Sequence, residues 1–204
     1  MHRSAIRGFI GALLVCGCSR GDPAENRKYF PTVTGMAWVY QDDRGNDATL
    51  VVEGTTTVGN IECIVFKLDR LKSDQFDSKG RPESSREFCV VTDAGVLVYR
   101  MEGDRQENFA DNPYPRIRFG TRKGDSWDWK HGKEVVKMEN LGEEEIEVPA
   151  GKYRALKIRT LSPLMGAEMK STEWFAKEVG LVKVQSEVLG YASGMSLKKI
   201  RPGP

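Results

Sequence analysis

Leu50-Val51-Val52-Glu53-Gly54-Thr55-Thr56-Thr57-Val58-Gly59-Asn60-Ile61-Glu62-Cys63-Ile64-Val65-Phe66-Lys67-Leu68-Asp69 decides the fold of this chain. Two runs rich in β-branched and aromatic residues flank Gly59-Asn60, a two-residue pair whose backbone freedom suits the tight turn of a β-hairpin. In the second run Glu62, Ile64, Phe66 and Leu68 fall on one face, and Ile61, Cys63, Val65 and Lys67 on the other. That is the period of two expected of a strand.

The pattern continues on the C-terminal side. A polar loop, Lys72 to Ser85, precedes a strand at Arg86–Thr92, which turns at Asp93-Ala94-Gly95 into Val96–Met101. The loop Glu102–Tyr114 contains Pro113 and separates this meander from further strands. Those are expected at 117–119, 126–129, 133–138, 143–148, 153–160, 167–175, 181–188 and 196–200. No run has the 3.6-residue period of a substantial helix. The reading is an all-β chain, an antiparallel meander that forms a curved sheet, a half-barrel or a sandwich, with little helix.

The N-terminus carries a different signal. Basic residues (Arg3, Arg7) precede an apolar run from Gly8 to Gly17, too short for the roughly 20 residues of a spanning helix. Leu13-Leu14-Val15-Cys16-Gly17-Cys18-Ser19 resembles the lipobox of a bacterial lipoprotein signal peptide, with Cys16 at its second position a departure. The resemblance implies removal of residues 1–17 and lipidation of Cys18, palmitate included. The alternative is an ordinary secretory signal cut beyond Cys18. Several acyl chains on one cysteine suffice for stable anchoring. Ser19, rather than Asp, follows the cysteine, and by resemblance to enteric lipoproteins this directs the protein to the outer membrane where the cell has one. Residues 18–28, polar and holding Gly21 and Pro23, read as a tether, and 29–204 as one β-rich domain.

Charge excludes one class of partner. The chain has 31 basic and 29 acidic residues, and cleavage of the signal removes Arg3 and Arg7, which levels them. A nucleic-acid binder concentrates positive charge, and this chain does not.

Three motifs stand out. They are Tyr29-Phe30-Pro31 with Gly35, Trp38 and Tyr40; Val148-Pro149-Ala150-Gly151-Lys152-Tyr153; and Trp174-Phe175-Ala176 with Val179-Gly180-Leu181-Val182-Lys183. Together they resemble a broad group of uncharacterised bacterial secreted domains and lipoproteins, similar in architecture to the half-barrels of lipoprotein carriers. The resemblance spans residues 29 to about 190 and carries over no catalytic residue. Physically, Pro149-Ala150-Gly151 and Val179-Gly180 are turns, and the large aromatics plug the ends of a sheet core.

Candidate chemistry is sparse. After cleavage Cys63 and Cys89 remain besides Cys18. If their strands pair with Cys63 opposite Cys89, then Ile64 faces Phe88, Ile61 faces Val91, and both thiols share one face. An oxidising compartment then permits a disulfide, with an entropic value of about 3–4 kcal/mol in the simple chain model; two buried free thiols are the alternative. His131 lies alone in a turn-like segment, and no nucleophile elbow or zinc spacing is present. Glu143-Glu144-Glu145 alternate between faces and do not converge on a metal. Asp42 to Asp47 is oxygen-rich but lacks the full calcium-loop pattern. Trp38, Tyr40, Trp127, Trp129 and Trp174 are the candidate ligand-contacting residues, with Trp127 and Trp129 on one face. No catalytic residue, metal or cofactor is expected. The expectation is a non-catalytic envelope lipoprotein, held to the membrane through Cys18, that binds an apolar ligand, a glycan or an envelope protein. The alternative is a carboxylate-based hydrolase acting on envelope or extracellular glycans.

Overall fold

The computed structural model describes residues 23–70, 84–103, 105–164 and 166–203. Cys18, the signal segment 1–17 and most of the 72–85 loop lie outside the described residues. A single helical turn, α1 (Pro23–Arg27), leads into thirteen strands. These are β1 (Ala37–Asp42), β2 (Asp47–Val58), β3 (Ile61–Arg70), β4 (Ser84–Val91), β5 (Gly95–Glu102), β6 (Gln106–Asn108), β7 (Tyr114–Arg118), β8 (Ser126–His131), β9 (Glu134–Val148), β10 (Gly151–Leu164), β11 (Ala167–Ala176), β12 (Gly180–Val188) and β13 (Tyr191–Arg201).

All thirteen belong to one antiparallel sheet in the order β6-β5-β4-β3-β2-β1-β13-β12-β11-β10-β9-β8, with β7 also on β5. The all-β meander is therefore as expected, and of the three architectures named it is a single open curved sheet rather than a two-sheet sandwich. Two meanders, β1–β7 and β8–β13, join where β1 pairs with β13 (Ala37 opposite Arg201, Trp38 opposite Ile200). The sheet is not closed by a backbone ladder. Its free ends are instead linked by side chains. Trp127 of β8 donates its indole N–H to the carbonyl of Pro115 (3.0 Å), and Trp129 donates to that of Asn112 (2.9 Å). Asn112 returns a bond to the Lys130 carbonyl (2.6 Å).

The concave face is packed. Tyr40, Val52, Phe66, Cys89, Val96, Ile117, Trp127, Met138, Ile158, Phe175 and Leu197 form one buried cluster. Burying each large side chain of this kind stabilises the fold by about 1.5–3 kcal/mol. The Tyr29-Phe30-Pro31 segment enters one end of the curve. Phe30 packs edge-on against Phe66 (4.9 Å between centroids) and tilted on Phe175 (6.3 Å). A smaller cluster, Val58, Cys63, Val65 and Phe88, lies on the convex side.

Three expectations need correction. The β3–β4 register pairs Ile64 with Cys89 and Val65 with Phe88, one position away from the register that sets Cys63 opposite Cys89. A one-residue slip exchanges faces. Cys89 therefore joins the concave cluster, Cys63 the convex one, and both are free thiols. Residues 133–138 and 143–148 are one strand, because Gly142 (φ +89°) forms a bulge that the ladder passes through rather than a break. Residues 23–28, expected in the tether, are docked on the body. Lys28 pairs with Glu25 (2.8 Å) and Glu178 (3.0 Å), and Arg27 with Asp93 (2.7 Å).

Candidate functional site

Charge inside the curved sheet defines the site. Arg116 extends from β7 into the concave interior and donates hydrogen bonds to Glu87 of β4 and to Glu173 of β11, the latter at 2.5 Å. Its side chain is 15% exposed, as is that of Glu173. The guanidinium carbon lies 6.0 Å from the Phe30 ring centroid and 5.9 Å from that of Phe175, near enough for weak cation–π attraction. Burial opposes the charge on Arg116, but Glu173 and Glu87 more than offset it and hold its pKa well above the usual value. Above Arg116, Tyr114 is pushed up to about 12, chiefly by burial.

Local sequence explains how each group arrives there. Glu87 is two residues before Cys89, and Glu173 two before Phe175, both of which are in the concave cluster. Alternation puts each carboxylate on the inner face. Glu173 is 15% exposed and Glu87 29%, so each is partly shielded from water, and Arg116 is the charged partner of both.

Two spaces meet at this group. A recess of about 80 Å³ has an apolar wall that includes Phe30, Trp38, Leu50 and Phe66, with Glu87 and Arg116 at its polar end. A wider cleft of about 410 Å³ has Arg116 and Glu173 at its floor and Asp42, Asp43, Asp47 and Arg44 at its mouth. Arg116, Leu181 and Met195 line both. The volume of the larger space falls in the range of small-molecule sites.

Of the five aromatic candidates, only Trp38 lines these spaces, with its indole N–H donated to the Val179 carbonyl (2.6 Å). Tyr40 is fully buried and donates to the Leu181 carbonyl (2.8 Å), holding the wall from behind. Its hydroxyl is pushed up by burial. Trp127 and Trp129 stitch the seam. Trp129 also stacks on His131, with 5.2 Å between centroids and 8° between planes. Trp174 sits between its cross-strand neighbours Lys157 and Lys183, whose ammoniums lie 5.1 and 5.3 Å from its ring, and it donates to Glu144 (2.6 Å). That bond and one from Lys157 hold the Glu144 carboxyl below the usual range. Glu143, bonded by Tyr29 and Arg154, is lowered in the same way. Glu143 and Glu144 of the triple-Glu run are thus occupied by these partners. The oxygen-rich β1–β2 turn is also occupied. Asp42 accepts from the backbone N–H of Arg44 (2.9 Å) and of Asn46 (2.7 Å), and no cluster of metal-ligand type occurs among the described residues.

Sequence reading missed Arg116, Glu87 and Glu173. The available signal was a charge interrupting the inner face of an otherwise apolar strand, and a surface charge gives the same letters when the inner face is unknown.

The charged group thus lies where an apolar recess and a wider cleft meet inside one part-closed β-sheet. Residues 132–188, which run from β9 to β12 and contain the second and third motifs, match the DUF3108-like family. Two solved structures are similar to the chain. One is a candidate lipoprotein from Parabacteroides distasonis ATCC 8503, 17% identical, with a TM-score of 0.49, covering 85% of this chain and 98% of that one. The other is a candidate exported protein with a YmcC-like fold from Bacteroides fragilis NCTC 9343, 15% identical, with the same TM-score and coverage. No curated protein sequence matches the chain.

Proposed function

We propose that this chain is a non-catalytic lipoprotein of the bacterial cell envelope, anchored through Cys18, whose curved sheet binds a small ligand in the cleft above Arg116. The observation that carries the reading is the Glu87–Arg116–Glu173 group. A core built for stability alone gains little from three ionised side chains, since matched apolar residues serve as well or better. Here the group faces a space large enough for a ligand. A carboxylate-based hydrolase is less well supported. Its acid must donate a proton to a leaving group, whereas Glu87 and Glu173 both act as acceptors towards one guanidinium.

Native mass spectrometry of the protein purified from envelopes tests this. The expected result is an acyl mass on Cys18, together with a retained small ligand that is lost when Met195→Trp fills the cleft. Retention undiminished in that variant, or turnover of a glycan by the purified protein, would overturn the reading.

A further inference from the structure

The charge pattern of this cleft selects among ligand classes, and the inference rests on the binding role just described. Arg116 is engaged on both sides, by Glu87 and by Glu173, so the floor carries one net negative charge. The mouth adds net charge of the same sign, since Asp42, Asp43 and Asp47 stand there against Arg44 and the Lys198 that pairs with Asp47. Asp42 is committed to the β1–β2 turn, and Asp47 is answered by Lys198 at 2.9 Å. Asp43 is exposed at the rim. Its carboxylate has no ion pair among the described residues, and only its backbone N–H is engaged, by the Gly194 carbonyl at 3.3 Å. Leu181 and Met195 give the cleft apolar lining beside Arg116.

We propose that the cleft takes a small organic cation, a linear aliphatic diamine or polyamine. One ammonium meets Glu173 at the floor, the methylenes lie along Leu181 and Met195, and a second ammonium meets Asp43 at the rim. An anion of similar size is disfavoured by the same geometry. It would have to approach Arg116 beside the two carboxylates already bonded to it, against the net negative charge of the cleft. A long acyl chain is disfavoured by volume, because the apolar recess beyond Arg116 measures only about 80 Å³.

Calorimetric titration of the full mature chain with cadaverine and spermidine, against succinate and decanoate, tests the assignment. The amines are expected to bind at one site and the two anions not at all. Glu173→Gln cancels the net charge of the floor and should weaken the amines by about tenfold or more, given the strength of a single charge at contact distance in a partly buried site. Asp43→Asn lies at an exposed position, leaves the core untouched, and should weaken both amines; it keeps the test valid if Glu173→Gln lowers the folded fraction. Binding of succinate or decanoate in place of the amines would overturn the cation assignment while leaving the cleft a binding site. Equal amine affinity in wild type and in both variants would overturn it too, because the amines would then sit elsewhere. If no probe binds, the assignment fails, and the retained ligand sought by native mass spectrometry decides the binding role separately.

Discussion

At the scale of single residues, Arg116 and Gly95 are the two positions where substitution has the clearest consequence. Arg116→Met leaves Glu87 and Glu173 facing each other inside the sheet without a cation, and loss of one partner of a buried pair costs about 3–5 kcal/mol. Urea melts of Arg116→Met at pH 7 should show a deficit of that size against wild type; a loss below about 0.5 kcal/mol, ordinary for a surface site, would contradict the pairing. Gly95 owes its identity to space as well as torsion. Its φ is +155°, and a Cβ there would sit 2.0 Å from the backbone oxygen of Ile117. Gly95→Ala must part β5 from β7, and a loss of about 2–3 kcal/mol or more is expected in the same urea melts. An effect below about 0.5 kcal/mol, ordinary for a surface site, would mean that β7 is not seated as described. Neither residue is legible in the sequence. Gly95 reads as a turn glycine, and Arg116 sits in a Tyr-Pro-Arg-Ile-Arg run in which nothing marks which arginine turns inward.

Between residues and the molecule stand the strands, and here the sequence was most informative where alternation was clean. β3 shows this. Ile64 and Phe66 lie on the concave side and Cys63 and Val65 on the convex side, as the period of two requires. The hairpin at Gly59-Asn60 is where its residue types place it. β1 was missed because Ala37, Trp38, Val39 and Tyr40 are all buried, so the strand has no polar face to reveal its period. Register lay beyond the pattern. Two registers of β3 on β4 both match apolar residues, and they differ by the one position that separates a disulfide from two isolated thiols. Burial pushes the thiols of Cys63 and Cys89 up, Cys89 strongly, which keeps them protonated and slow to react. Iodoacetamide should therefore leave both unmodified in the native protein and label both after denaturation without reductant, as read by intact mass. A chain that stays unlabelled until reductant is added would restore the disulfide and require the β3–β4 register to shift by one.

For the whole molecule, the decisive feature is how a sheet of thirteen strands ends. An open edge exposes unpaired backbone groups and invites pairing with other chains. This fold closes the gap between β7 and β8 with indole side chains. Trp127 and Trp129 share the inner face of β8, as their alternation implies, and each spans the seam to a backbone carbonyl of the 112–115 segment. Phe109 and Tyr114 pack edge-on against Trp129, each at 5.2 Å, and make the joint apolar. The sequence showed the shared face but not its purpose, because the strand opposite is remote in pairing order and only the curvature brings it near. Phenylalanine nearly preserves the packing and deletes the donor, so Trp127→Phe isolates the bond. It removes one hydrogen bond to the Pro115 carbonyl, at a net cost of about 0.5–1.5 kcal/mol. That cost should be local, since β5 is the one ladder partner of β7 among the described residues. Hydrogen exchange followed by mass spectrometry should show faster exchange across 112–118 in Trp127→Phe, and more so with Trp129→Phe added, while β2 and β3 keep their protection. Uniform loss of protection over the sheet would show instead that the seam is part of a single cooperative unit. Unchanged protection at 112–118 would show that the indoles pack beside the gap without holding it shut. Because Arg116 sits on β7, a seam that opens also loosens the floor of the cleft. Under the proposed binding role, the same double variant should therefore lose the ligand sought by native mass spectrometry even though no residue lining the cleft has been changed.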